Sequence, residues 1–472
     1  MSKSLKAFTM LLAVVLLIGL LPACAPQATA TAEPAAPATA EPAAPATQEP
    51  VATEAVPAIQ PGNLEVGVLW EEGSPSYDLV KTIGDSLEAD YPGTKVTYTF
   101  NNTAARPQIE TRMMAGDPLD IDFIFEGMDP NSYSWVEGGY IKDITQPMTS
   151  VRKDGTQWKD DFYPLFYPSM QYGGKFYGAP EQVYVWALHY NKTMFDEWGL
   201  TPPTTWAELL AVSEQIKEKS GGEVAPIAVT GQVNFYAGMY YDAVVQRLCG
   251  TEKVMEYLYG DTGMKAADEP CFLQAAQEVN KLVKNGDLIK GWEGTDFTTT
   301  QVYFFQGKAA MIFMGSWLMT EMKDSIPEGF KLAVAPFPSV EGGAGNQDAV
   351  FGRALSWNIP AKSDVPELAV EFLRRYTSDE TAQKRVDLFG ALSANVNVAP
   401  PAAIYGAADL LEGAKNSEFI LYNYGVNSAK YGLASGWYDP MVEMWTGGLT
   451  PEQAIAKIDK NIEAIRAQRA AE

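Results

Sequence analysis

Of 472 residues only one is histidine and three are cysteine. With His189 as the sole imidazole, a hydrolytic triad has a single candidate base, and no G-x-S-x-G elbow accompanies it. A zinc site of the His/Cys type lacks ligands for the same reason, and neither a P-loop nor a G-x-G-x-x-G turn is present. No catalytic group, metal or cofactor is therefore expected, and His189, inside a predicted strand, reads as an ordinary buried side chain. Basic residues are also short: 35 Lys and Arg against 59 Asp and Glu leave a formal net charge of −24. Such a surface is repelled by nucleic acid and by anionic membranes. It suits an exported soluble protein, although plain solubility explains it equally well.

Long apolar runs are scarce too. The run Phe8–Leu21 follows Lys3 and Lys6 and precedes Leu21-Pro22-Ala23-Cys24, which matches a bacterial lipobox. It is too short and wrongly flanked for a stable membrane span. Residues 1–24 are read as a lipoprotein signal peptide with Cys24 the lipidated residue, ordinary secretion with nearby cleavage being the alternative. Residues 25–61 are Ala, Pro, Thr and Glu, and Thr31–Ala38 and Thr39–Ala46 repeat TAEPAAPA. A segment with nothing to bury cannot offset its ordering entropy, and its prolines favour an extended, semi-rigid tether. Cys249 and Cys271 are then an even pair in an oxidising compartment, a disulfide or two buried thiols.

The globular part is long enough for two cored domains. Leu64–Trp70, Tyr77–Leu87, Thr94–Phe100, a helical segment through Met114, and Ile121–Phe125 read as β-α-β-α-β, hence an α/β sheet with helical crossovers. Ligands in such sheets sit beyond the carboxyl ends of the strands, which places Trp70-Glu71, Asn101-Asn102 and Glu126 to Asp129 around one crevice. Farther on, Gly173–Leu210 holds a strand in which Gln182, Tyr184 and Trp186 share one face and Val183 and Val185 the other. Thr205 with Glu208, and Thr450 with Gln453, read as capping boxes.

The order Gly-Lys-x-Tyr-Gly-x-Pro (from Gly174), strand, Tyr190-Asn191-Lys192, short loop, Pro-x-Thr-Trp-x-Glu-Leu (from Pro203) resembles the extracellular solute-binding protein family 1. These are the carbohydrate receptors of ABC importers, and the likeness runs from about Leu64 to the C-terminus. It implies a two-lobed periplasmic-binding-protein-like fold of type II, each lobe a mixed sheet flanked by helices. The chain would cross between lobes three times, near 181–187, 333–338 and 362–367. Lobe 1 would comprise 62–183 plus 337–365, lobe 2 184–336 plus 366–472.

The resemblance also supplies a site. Glu126 stands where the family has an aromatic contact and Asp129 where it has an acidic one, a carboxylate being able to accept several hydroxyl hydrogen bonds. Gly315-Ser316-Trp317 resembles the Gly-x-Trp turn whose indole stacks on a sugar. Arg353 follows a glycine whose successor points into the cleft, with a surface ion pair as the alternative. Gly436-Trp437 resembles a C-terminal Trp that closes over the sugar. Asn234 and Tyr236 are either contacts or core. With Trp70, Glu71, Tyr184 and Trp186 these complete the candidate site: aromatic planes for the C–H face of a pyranose, polar groups for its rim. The expected protein is a monomeric receptor, anchored by lipid outside the cytoplasm, passing a sugar or oligosaccharide to a membrane permease. A glycosidase or lyase would need two carboxylates about 5–10 Å apart across the bond, whereas Glu126 and Asp129 share one wall. A receptor of this architecture for a peptide, polyamine or anion is the other alternative.

Overall fold

The computed structural model describes residues 58–101, 105–124, 130–414, 419–420 and 431–471. It begins with β1 (Asn63–Val68), a helix Pro75–Asp90 and β2 (Lys95–Phe100), the strands pairing in parallel from Asn63↔Lys95 to Val68↔Phe100. The helix starts where the Ser74 side chain accepts from the Tyr77 amide, and it buries Leu79, Val80, Ile83 and Leu87. That 3–4–4 spacing is one stripe of an α-helix laid on a core. A second helix, Arg106–Ala115, ends at Gly116 with φ +86°, a conformation glycine adopts without a Cβ clash. Next comes β3 (Asp122–Ile124), beside β1 through a Val66↔Ile121 bridge. The β-α-β-α-β expectation is met.

After a hairpin of β4 (Gln171–Tyr172) and β5 (Lys175–Phe176), β6 runs thirteen residues from Ala179 to Asn191. It is followed by β7 (Ala225–Ala228), β8 (Ala309–Gly315), β9 (Leu332–Ala335), β10 (Val350–Asn358) and β11 (Phe419–Ile420). From Ala179 to Val185, β6 pairs antiparallel with β10, which pairs onward with β3; from Trp186 to Asn191 it pairs with β8 and β9. One strand thus belongs to both halves of the molecule, exchanging partners between Val185 and Trp186.

The two cores meet at this strand. Val183, Val185 and Ala187 pack with Leu64, Val66, Phe372 and Tyr376, while Trp186 and Leu188 pack with Tyr240, Phe313 and Ile458. Successive strand residues face opposite ways, so the odd positions serve the first core and Trp186 and Leu188 the second. Gln182 and Tyr184, on the even face before the second core begins, stay half-buried.

Packing groups residues differently from the expected lobe boundaries. Those boundaries give 366–411 to lobe 2, yet Leu368, Phe372, Leu392 and Leu410 lie in the core of β1. They give 337–351 to lobe 1, yet Phe337, Val340 and Phe351 lie in the other core. Ile359 and Leu368, on either side of the expected crossing at 362–367, share one core. The helix Pro366–Tyr376 buries one apolar stripe, Leu368, Ala369, Phe372, Leu373 and Tyr376; periodicity can give such a stripe but not its target.

Both capping boxes are present. Farther on come two helices, Thr251–Tyr259 and Pro270–Lys284, separated where Gly260, Gly263 and Pro270 interrupt the helical pattern. Cys249, just before the first of these helices, and Cys271, in the first turn of the second, are joined by a disulfide, 22 residues apart. In the chain-entropy account a loop of this length stabilises by about 3 kcal/mol. Urea unfolding with and without a thiol reductant should show that loss, and a Cys249→Ser/Cys271→Ser variant should match the reduced protein and be indifferent to reductant.

Candidate binding cleft

The site grows from the middle of β6. Arg353 on β10 lies directly opposite Tyr184, its guanidinium 5.9 Å from the ring centroid. On the other side Trp186 is opposite Gly315, the last residue of β8, where the chain turns through Ser316 to Trp317. That turn is tied to β6: Ser316 N donates to Val185 O at 2.9 Å, Val185 N to Ser316 Oγ at 3.2 Å, and Ser316 Oγ to Val183 O at 3.3 Å. The Trp317 indole folds back over Gly315 so closely that a Cβ there would lie 2.0 Å from its ring. It meets Tyr184 at 4.9 Å and Trp186 at 5.1 Å, both edge-on, a favoured aromatic geometry.

Beneath these rings the aromatic layer continues into the second core. Trp186, 5% exposed, touches Phe235, Tyr236 and Phe313 at 5.2, 5.5 and 5.7 Å, and Tyr236 stacks on Phe297. Trp317 and Tyr184 are the half-buried top of a rigid stack. The rings below hold it in place.

Beside Tyr184 opens a cavity of ≈ 170 Å³ lined by Trp70, Gln182, Tyr184, Thr320 and Leu355. Its inner wall is a buried ion pair. Arg385 donates to the Glu181 carboxylate, to Glu181 O at 2.9 Å and to Gln182 Oε1 at 3.2 Å, and Trp357 Nε1 also donates to the Glu181 carboxylate. Burial pushes the Glu181 carboxyl up against the pull of Arg385, and pushes the Tyr184 phenol up to about 12. Glu321, one turn after Trp317, accepts from Gln301 Nε2 at 3.1 Å, and its charge also acts on the Tyr184 phenol. The cavity thus offers an aromatic face and the Gln182 amide, with Arg353 and Glu321 acting on Tyr184 from beside it. Among the described residues no group of three His, Cys, Asp or Glu is arranged to hold a metal, and no helix is long and apolar enough to cross a membrane.

The structure brings Trp70, Tyr184, Trp186, Trp317 and Arg353 together. Glu71 is exposed on the loop after β1. Glu126, Asp129 and Cys24 lie outside the described residues. Asn234 donates to the Asp439 carboxylate and lines a different opening, with Gln232 and Glu443. Tyr236 is a supporting ring under Trp186. Trp437 is not in the cleft: it is 1% exposed, lies within the helix Leu433–Trp445, donates from Nε1 to Asp242 at 2.6 Å and packs 5.1 Å from Tyr241. The Gly-Trp-Tyr run there belongs to a helix that buries both aromatics, so Trp437 cannot close over a guest.

Glu181, Gln182, Thr320, Glu321 and Arg385 were absent from the candidate set. Alternation with Tyr184 could have flagged Gln182. Nothing local marks Arg385, which reaches the cavity from a helix 204 positions along the chain.

Residues 69–383 match the family model described as bacterial extracellular solute-binding protein. The chain belongs to that family. Among curated relatives of this solute-binding protein, the multiple sugar-binding protein of Streptococcus mutans is 26% identical over 60% of this chain, an alignment covering 64% of that relative. Diacetylchitobiose binding protein NgcE of Streptomyces coelicolor is 24% identical over 76% of each chain. Of solved structures, RafE from Streptococcus pneumoniae superposes with a TM-score of 0.69 at 21% identity, covering 87% of this chain and 99% of that one. A chitin oligosaccharide binding protein gives 0.66 at 22% identity, covering 86% of this chain and all of the other. The fold is the two-lobed α/β fold of periplasmic binding proteins.

Proposed function

We propose that this solute-binding protein is the receptor of an ABC importer, capturing a sugar or oligosaccharide in the cleft and delivering it to a membrane permease. The observation that carries the reading is the Tyr184–Trp317 pair, two half-buried rings set edge to face on a rigid stack with Gln182, Arg353 and Glu321 around them. A pyranose needs that combination: a π-face for its C–H surface and hydrogen-bonding groups for its rim. The names of the relatives above point the same way.

On this reading one lobe is built on the core of β1 and contributes Trp70, Gln182 and Arg353; the other contributes Trp317, Thr320 and Glu321. A guest gains both sets of contacts only when the lobes close, so binding shifts the open–closed population, and the closed form is what the permease meets. Lipidation at Cys24 and the tether 25–61 would keep the receptor, as a monomer, near that permease. Binding is the whole task assigned to the cleft, with no chemical step.

The test is a thermal-shift screen against mono- and oligosaccharides, including raffinose, stachyose and diacetylchitobiose, with short peptides and polyamines alongside. A sugar at a hundred times its Kd should stabilise the fold by about 2.7 kcal/mol through mass action. Silence across all sugars with a clear peptide or polyamine response would overturn the substrate class.

A further inference from the structure

Resting on that reading of the cleft, we propose that Lys323, with Thr320, is a latch between the lobes: it caps the C-terminus of a helix on the facing lobe and so sets the guest's affinity without touching the guest. That helix is Asp379–Phe389, which ends at Gly390 with φ +68°. The last four carbonyls of an α-helix have no partner within it and carry the negative end of its dipole. Two of these four are met by donors from the other lobe: Lys323 Nζ donates to Leu388 O at 3.1 Å, and Thr320 Oγ1 to Phe389 O at 3.3 Å.

Both donors come from one short stretch, the helix Leu318–Met322 and the turn Lys323–Ser325 that follows Trp317. Leu318 and Met322 anchor it by packing with Ile312 and Met314 of β8, while Met319 packs on the core of β1 as well. The Met319 sulfur is 3.7 Å from where a Cβ would stand at Gly390, so the cap has an apolar contact beside its two hydrogen bonds. The capped helix is equally fixed, because Arg385, one turn before its end, is bonded to Glu181 on β6. Latch and cavity adjoin: Thr320, Arg385 and Phe389 all line the cavity beside Tyr184. Lys323 itself is exposed. When the lobes part, its ammonium and the helix carbonyls return to water, so the latch is worth only the surplus over hydration, a few-fold in the closed population. Apparent affinity scales with the fraction of chains in the binding-competent state. The same factor therefore enters the Kd of every guest, a neutral one included, and Lys323 is a positioning residue.

Two measurements decide it. Spin labels at Lys95→Cys on β2 and Lys219→Cys on the helix Trp206–Ser220, both exposed and one on each lobe, report lobe separation in the unliganded chain by double electron–electron resonance. With Lys323 in place the distribution should show a minor near distance beside a far one. Lys323→Ala should cut the near population about 3-fold. Lys323→Glu, which turns a negative charge toward the carbonyls, should cut it about 10-fold, and Lys323→Arg should leave it intact. A single far distance with Lys323 present, or an unchanged distribution in Lys323→Ala, overturns the proposal whatever the guest proves to be. The second measurement is tryptophan-fluorescence titration with whichever of raffinose, stachyose or diacetylchitobiose binds the wild-type chain. Lys323→Ala should raise the Kd of each by the factor by which the near population falls, and Lys323→Arg should bind like wild type. A loss that differs from sugar to sugar would make Lys323 a guest contact and sink the latch, as would no loss at all. Failure of all three sugars to bind the wild type would count against the proposed function, while the distances would still decide the latch.

Discussion

Gly315→Ala is expected to weaken sugar binding about 30-fold, the loss of one strong anchor, although a single methyl is all it adds. Gly315 ends a strand in ordinary extended conformation, so alanine imposes no backbone strain there. The obstacle is the indole: the new Cβ would sit 2.0 Å from Trp317 Cζ3 and 2.3 Å from Cε3 and Cη2. Trp317 cannot retreat within the plane of the layer, because Tyr184 and Trp186 meet it edge-on at 4.9 and 5.1 Å. It must swing out and vacate its half of the platform. Losing two aromatic contacts costs about 0.5–1.5 kcal/mol each in the fold, so the melting temperature drops modestly while affinity drops steeply. Trp317→Ala should bind as poorly as Gly315→Ala, and combining them should add little, because both remove the same surface. An alanine variant that titrates like the wild type would mean that the indole carries no guest.

How much of this could be read beforehand depends on the range of the interaction. The Gly-Ser-Trp turn is local: a strand, a glycine and a ring two residues later suffice, and Trp317 is where that pattern puts it. The alternation of Gln182, Tyr184 and Trp186 is equally local, and two of the three line the cavity while the third supports them. Trp437 shows the limit. Its Gly-Trp-Tyr neighbourhood looks like a closing loop until Asp242, 195 positions earlier, supplies a buried carboxylate to bond both the indole at 2.6 Å and the Tyr438 hydroxyl at 2.6 Å. Periodicity alone could not say which core Leu368 and Phe372 would join: an amphipathic helix announces that it has a core, not which one. Arg385 was invisible because its meaning lies in Glu181 and Gln182, on a strand far away in sequence.

That buried carboxylate leads to the other large effect. Removing Asp242 should make the protein markedly more sensitive to acid, by exposing an opposing titration at His189. Asp242 is 1% exposed and, among the described residues, is bonded to the neutral Trp437 and Tyr438, with Tyr241 a further titratable neighbour, so burial pushes its carboxyl from 3.8 up to about 7. The folded chain therefore holds this proton more tightly than the unfolded chain. The stability it provides is full below pH 3.8 and is lost as the pH rises toward about 7. His189 is 2% exposed, its Nδ1 3.1 Å from Ala187 O, and burial pushes its pKa from 6.5 down to about 4. Here the folded chain rejects the proton. Its contribution is full above pH 6.5 and is lost as the pH falls toward about 4. Between those limits the two slopes have opposite signs, each about 1.4 kcal/mol per pH unit at most, and largely cancel. Asp242→Asn keeps the shape and deletes one slope. Urea unfolding from pH 8 to pH 4 should then show the variant more stable than wild type at pH 8, where the buried charge is relieved. Its advantage should shrink through pH 7 to 4 and reverse in sign, since the wild type alone gains from taking up the Asp242 proton. His189→Gln should show the converse, gaining stability on acidification relative to wild type. Every other carboxylate contributes equally to wild type and variant, so the difference between the two profiles isolates the one group. Parallel profiles for Asp242→Asn and wild type would mean that Asp242 titrates as an ordinary carboxylate, and that the bonds from Trp437 and Tyr438 compensate its burial in full.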